Sequence, residues 1–270
     1  MDVMALGLRP AGQAPGAERA GGDDPPSPPS SLHLLLQRFD APHALLAWLA
    51  RPRRADPWLG CARGDWLIWL AACLGRPLGE VLAAACDCVG RALDALPGHT
   101  DVLRNAVALA RARRSAEACA AAAADCDAAR REYPASYRAG MTLGFAPASR
   151  AACWVARAAE GLLTAETRAE VRGTTQARAR AVIIGLNPDV MPRRLTGPAC
   201  LDPAVEPGDP IQEELGFVVA AAAQAVKAAA RALGPQPQDS QARKEAQAAF
   251  AELVRQRLGA AAPADRRIAP

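Results

Sequence analysis

The stretch that most constrains the fold is residues 58–96, which reads as two apolar helices joined by a tight turn. It holds three of the five tryptophans and four of the eight cysteines of the 270-residue chain. Apolar residues recur in it at intervals of three and four, as on one face of a helix: Trp66, Trp69, Leu70 and Cys73. Each tryptophan can bury on the order of 200 Å². We therefore expect this hairpin to form the core against which other helices pack.

Polar and special residues set the expected ends of the two helices. Asp65 is a suitable N-cap for the first, because its carboxylate accepts the free amide hydrogens of the first turn. Gly75 suits the left-handed turn that ends a helix, and Pro77 suits the first turn of the next helix. Asp87 and Arg91 lie four residues apart on the polar face of the second helix, a spacing that favours a surface ion pair.

The remaining chain carries helix signals and no strand pattern. Alanine, the residue with the highest helix propensity, is abundant throughout. Thr164 is expected to cap one helix and Asp209-Pro210 another. The sequence therefore predicts an all-α fold, a multi-helix array or bundle of about eight to ten helices.

Composition divides the chain into five expected segments. Residues 1–30 are rich in Pro, Gly and Ala and predict a disordered tail. Residues 31–186 form the helical core domain, and residues 187–210 a Pro-rich loop that is either functional or a linker. Residues 211–258 form two helices packed on or beside the core, and residues 259–270 a second tail.

Charge and hydropathy argue against several classes of protein. The net charge of +4 is too small to indicate a nucleic-acid-binding protein. No signal peptide is expected, because the first ten residues carry Asp2 and lack a continuous apolar run. No membrane span is expected, since the nearest apolar run is interrupted by Gln224 and Lys227. Eight cysteines in a chain of this length favour buried thiols in a reducing cytoplasm over disulfides.

No catalytic or cofactor motif is present. The sequence has no dinucleotide-binding, Walker or nucleophile-elbow pattern, and no pair of cysteines or histidines has metal-ligand spacing. The three histidines, His33, His43 and His99, are far apart in sequence. We expect no enzyme activity, no cofactor and no metal. Whether the fold brings distant side chains together into an active site is left open by the sequence.

The hairpin nevertheless resembles a known family. The carrying residues are Trp58, Cys61, Arg63-Gly-Asp-Trp66, Leu67-Ile-Trp-Leu70 and the run Ala83-Ala-Ala-Cys-Asp-Cys88. In these the chain resembles alanine-rich helical immunity proteins of bacterial polymorphic toxin systems, over residues 32–186. The resemblance implies a cytoplasmic protein that binds and neutralises a cognate toxin, and it implies no catalytic residues.

The leading hypothesis is therefore an immunity-type protein that works by protein–protein contact, and a positive chain weakly favours an acidic patch on the toxin. A helical scaffold or adaptor without activity, and an enzyme of an unrecognised helical type, remain alternatives. The candidate partner-binding residues are Trp58, Asp65, Asp87 and Arg91. The competing interpretation gives the same residues structural roles in a packed core, a helix cap and a solvated ion pair. The oligomeric state is open.

Overall fold

The computed structural model describes residues 31–51, 56–96, 100–132, 143–183, 199–201 and 208–259, with the backbone alone for residues 31 and 177–183. These residues form ten α-helices and no strand, which confirms the predicted all-α class. The helices are α1 (Ser31–Arg38), α2 (His43–Leu49), α3 (Pro57–Gly60), α4 (Gly64–Cys73), α5 (Leu78–Asp94), α6 (Asp101–Ala112), α7 (Ala116–Glu132), α8 (Phe145–Ile183), α9 (Pro210–Leu233) and α10 (Ser240–Leu258).

The predicted hairpin is α4 and α5, and it lies in the core. Every residue of α4 from Gly64 to Ala72 is buried, and the Trp66 and Trp69 side chains are 8% and 3% exposed. Gly75 takes the expected left-handed conformation, with φ of 78°. Pro77 immediately precedes α5 as its N-cap residue, one position earlier than expected. The periodicity of the tryptophans therefore identified the centre of the fold.

Helix α8 is continuous where the sequence predicts two helices. Thr164 was expected to cap a new helix, but it lies inside α8, and its hydroxyl donates to the Glu160 carbonyl at 2.9 Å. Asp209, by contrast, caps α9 as expected, accepting from the amides of Ile211 and Gln212. A threonine hydroxyl bonds equally well to a carbonyl one turn back, so its presence does not by itself mark a helix start.

Helix α9 runs through the middle of the array, packed against α4, α5, α8 and α10. It is long and apolar enough to cross a membrane by length and composition, but 72% of that apolar window is buried inside the fold. Its buried face is mostly alanine, from Ala221 to Ala232. Small side chains let the neighbouring helix axes approach closely, which is how a chain poor in aromatics fills its core.

Helix α10 packs over the hairpin and α9. The Arg255 guanidinium donates hydrogen bonds to the backbone carbonyls of Trp58, Leu59 and Cys61, and so joins α10 to α3 and to the residue that follows it. Both C-terminal helices therefore belong to the same packed array as the hairpin.

Part of the predicted Pro-rich loop is docked on this array. The Leu78 amide at the start of α5 donates to the Ala199 carbonyl at 2.9 Å, and the Leu201 side chain is buried. The rest of that loop up to residue 207, the predicted tail at 1–30 and all but Gly259 of the tail at 259–270 lie outside the described residues.

Candidate functional site

A basic pocket opens between α9, α10 and the residues just before α4. Its volume is about 490 Å³. Five of its lining side chains are cationic: Arg63, Lys227, Arg231, Arg243 and Lys244. Ala62, Ala230 and Gln247 supply the other described walls, and no carboxylate is among them. The site therefore combines a small apolar wall with an excess of positive charge.

Lysine is almost absent from the chain, yet it is concentrated here. The 270 residues contain two lysines, Lys227 and Lys244, and both line this pocket. They come from different helices, α9 and α10. Elsewhere in the chain every basic side chain of the Lys and Arg type is arginine, and lysine is used only at the basic pocket.

One of the five cations is already neutralised within the fold. Arg63 forms a two-bond ion pair with Asp65, with Nε–Oδ1 and Nη2–Oδ2 distances of 3.0 and 2.6 Å. Its guanidinium also lies over the Trp66 ring, 4.3 Å from the centroid. The Asp65 amide donates to Gln247 Oε1 at 3.4 Å, which ties this pair to α10. Arg63 is therefore a fixed edge of the pocket.

The other four cations have no carboxylate partner among the described residues. Arg243 Nη2 is held by the Pro237 carbonyl at 2.8 Å, a neutral acceptor. Lys227, Arg231 and Lys244 form no ion pair within the described part of the chain. The pocket consequently keeps a surplus of about four positive charges at neutral pH.

The positions of these cations on α9 and α10 add to the electrostatic repulsion in the pocket. Lys227 and Arg231 are like charges four residues apart on α9, a spacing that costs a few tenths of a kcal/mol. Arg243 and Lys244 lie within the first five residues of α10, near the positive end of its dipole. Asp239 precedes that helix, but its carboxylate accepts from the Gln236 amide instead of capping α10. An anion in the pocket would relieve each of these repulsions.

Two of the sequence-predicted residues are buried, which corrects their interpretation as surface contacts. Trp58 lies in the short helix α3 with its side chain 3% exposed, so its ring cannot reach a partner. Asp65 is 4% exposed and is not the N-cap of α4, because Arg63 occupies that position. Asp65 still touches the site indirectly, since it holds Arg63 at the edge of the basic pocket.

The other two predicted residues lie on α5, outside the basic pocket. Asp87 pairs with Arg111 from α6 and with Arg257 from α10, the latter at 3.5 Å, instead of with Arg91. Tertiary partners replace the expected pairing along one helix because α6 and α10 both flank α5. Arg91 is exposed on the α5 surface. The four predicted residues therefore do not form one site.

The pocket itself escaped the sequence analysis because its walls come from three distant segments. Residues 62–63, 227–231 and 243–247 meet only through the packing of α9 and α10 against α4. The scarcity of lysine was the one signal in the sequence that pointed to both helices.

Two other cavities differ from the basic pocket in that carboxylates as well as cations line them. A groove of about 650 Å³ along α7, α8 and α9 contains the pairs Arg157–Asp127 and Arg168–Glu214. A cavity of about 370 Å³ beside α5 contains the pair Arg113–Glu166. Neither presents the uncompensated charge that marks the basic pocket.

The thiols and acidic groups add no second chemical site within the described residues. Burial raises the pKa of Cys61 to about 11 and that of Cys73, Cys86 and Cys126 to about 12, so these thiols are protonated at neutral pH. No group of three or more His, Cys, Asp or Glu side chains is placed to hold a metal ion in the part of the chain that the structure describes.

Comparison of the chain with protein-family models, with curated proteins and with solved structures gave no match. The structural features that bear on function are the charge and geometry of the basic pocket.

Proposed function

We propose that the protein is an immunity-type binding protein, which neutralises a cognate bacterial toxin by protein–protein contact and docks an acidic surface of that toxin at the basic pocket. The observation that carries the proposal is the uncompensated charge of Lys227, Arg231 and Lys244 around one concave site. We infer the kind of partner from the resemblance of residues 32–186 to immunity proteins. We infer the contact surface from the position of the basic pocket in the fold.

Electrostatic complementarity is the reason that a basic pocket suits an acidic partner surface. A positive patch that faces a negative patch speeds association and suppresses wrong partners. Here partner carboxylates would also remove the repulsion between Lys227 and Arg231 on α9. Because Arg63 is fixed by Asp65, one wall of the pocket is ordered before the partner arrives.

The proposal is tested by co-expression of the tagged protein with its neighbouring genes, followed by identification of what remains bound. We expect a stoichiometric partner whose toxicity is relieved. Binding should weaken as salt rises, since the contact is between charges near the surface. Recovery of the protein alone, with no protection against any neighbour, would contradict the immunity-type function and favour a scaffold or an enzyme.

Charge reversals locate the contact. Arg231→Glu, in the pocket, should reduce toxin affinity by at least about tenfold, which corresponds to about 1.4 kcal/mol. Arg150→Glu, an exposed arginine on α8, is the matched control and should leave affinity unchanged. Arg91→Glu tests the contact predicted from sequence. A loss with Arg91→Glu and none with Arg231→Glu would place the contact on α5 instead.

A further inference from the structure

We propose that the basic pocket is also a binding site for a phosphate monoester, a small organic molecule that carries a phosphate group. This goes beyond toxin binding and concerns the isolated protein. It follows from three properties of the pocket: the number of its uncompensated charges, the donors it offers and its size.

The number of charges exceeds what one carboxylate can neutralise. Four cationic side chains remain once Arg63 is paired with Asp65: Lys227, Arg231, Arg243 and Lys244. A carboxylate brings a single negative charge. A phosphate monoester brings about −1.5 to −2 near neutral pH, with three acceptor oxygens. The phosphate therefore matches the surplus more closely than any one acidic side chain.

The donors suit phosphate oxygens. Arginine offers a planar fork of N–H groups, and lysine a compact charge on a flexible stem. The pocket has both, with a lysine and an arginine on each of α9 and α10. Gln247 adds a side-chain amide whose oxygen faces the Asp65 amide at 3.4 Å, which leaves its nitrogen as a donor.

The size of the pocket calls for more than a bare phosphate ion. About 490 Å³ lies within the range of sites for small organic ligands. Ala62 and Ala230 give this space an apolar wall away from the charged side chains. An organic group attached to the phosphate would fill it and exclude water.

The two lysines permit a direct test. Reductive methylation with ¹³C-formaldehyde labels Lys227 and Lys244, the only lysines in the chain, and keeps their positive charge. The labelled full-length protein is titrated at constant ionic strength with phenyl phosphate and with benzoate, which has the same ring and one negative charge. We expect both lysine signals to shift in parallel and to saturate, with phenyl phosphate binding at least about tenfold tighter than benzoate.

Two variants distinguish binding in the pocket from nonspecific attraction of an anion to a positively charged surface. Arg231→Gln should weaken phenyl phosphate binding by at least about tenfold, and the exposed control Arg150→Gln should not change it. Shifts that stay linear with concentration, equal affinities for phenyl phosphate and benzoate, or saturation unaffected by Arg231→Gln would each overturn the proposal. No toxin is needed, so failure here leaves toxin binding to its own test, and failure of toxin binding leaves this result intact.

Discussion

The α-carbon of Gly64 lies so close to α10 that a Cβ on residue 64 would be 2.7 Å from the Cβ of Phe250. The same position would be 3.1 and 3.2 Å from the backbone of Phe250 and Ala251. Backbone atoms cannot swing aside as a side chain does. The absence of a side chain at residue 64 is therefore what lets α4 and α10 pack together.

We expect Gly64→Ala to lower the free energy of unfolding by about 1–3 kcal/mol, because the added methyl group forces α10 away from α4. Urea unfolding followed by circular dichroism measures the change. The matched control is Gly90→Ala in α5, where an added Cβ meets nothing within 4 Å. That substitution should stabilise by about 0.5–1 kcal/mol through helix propensity alone. Stabilisation by both would show that α4 and α10 are farther apart than described.

Arg255 should contribute more to stability than its neighbour Arg257. Its side chain is 16% exposed and donates to three backbone carbonyls, whereas Arg257 is 47% exposed and pairs with Asp87 at 3.5 Å. We expect Arg255→Ala to cost about 2–3 kcal/mol, since three backbone carbonyls, two of them in partly buried hydrogen bonds, lose their donor. Arg257→Ala should cost less than about 1 kcal/mol. Equal losses in thermal and urea unfolding would refute the role given to Arg255.

Thr164 distinguishes one continuous helix from two. Removal of an N-cap threonine costs about 1 kcal/mol. Inside a helix the same change to alanine is neutral or slightly stabilising, because alanine has the higher propensity. For the continuous α8 we expect Thr164→Ala to leave the unfolding free energy unchanged or to raise it slightly. A loss near 1 kcal/mol would contradict the continuous helix and support the helix start at Thr164 that the sequence predicts.

Asp209 should make stability depend on pH in the acidic range. The Arg172 guanidinium at 2.6 Å, with the amides of Gln212 and Ile211, lowers the pKa of this carboxyl below its ordinary value of 3.8. A lowered pKa in the folded state stabilises above the ordinary value, and this contribution is lost as the pH falls through the folded value. The charge lies near the surface, where solvent screens it, so the effect is modest.

The test compares wild type with Asp209→Asn by urea unfolding at pH 7 and at pH 2 to 3. Asparagine still caps a helix but cannot pair with Arg172, so the variant should be slightly less stable at pH 7 and equal to wild type at low pH. Asp125→Asn, at an exposed carboxylate on α7, serves as control. A difference that persists at low pH would mean that ionisation of Asp209 is not its cause.

Local patterns predicted the parts of the fold that depend on neighbours in sequence. The spacing of Trp66 and Trp69 identified a buried helix, and Asp209 before a proline identified the start of α9. Trp58 was misplaced because its ring joins a core built by residues distant in sequence, and even its carbonyl accepts from Arg255, 197 residues farther along the chain. Asp87 was given the partner nearest in sequence, whereas the fold brought Arg111 and Arg257 closer.

The candidate site was beyond such patterns for a physical reason. A cationic residue on a helix surface looks the same in sequence whether it faces open solvent or a pocket. Lys227 and Lys244 become one site only when α9 and α10 pack beside residues 62–63. The charges were visible in the sequence, but their convergence is a property of tertiary packing.

The hydrogen bonds from Arg255 to α3 and to Cys61 also affect how the chain folds during synthesis. Residues 58 and 255 are separated by 197 positions, and translation at about 5–20 residues per second needs roughly 10 to 40 s to cover that distance. Throughout this interval helix α4, which carries Trp66 and Trp69, has left the ribosome but α10, which packs against it, has not yet been made. The nascent protein therefore passes through a stage with exposed apolar surface, in which it is more prone to aggregation than the folded protein.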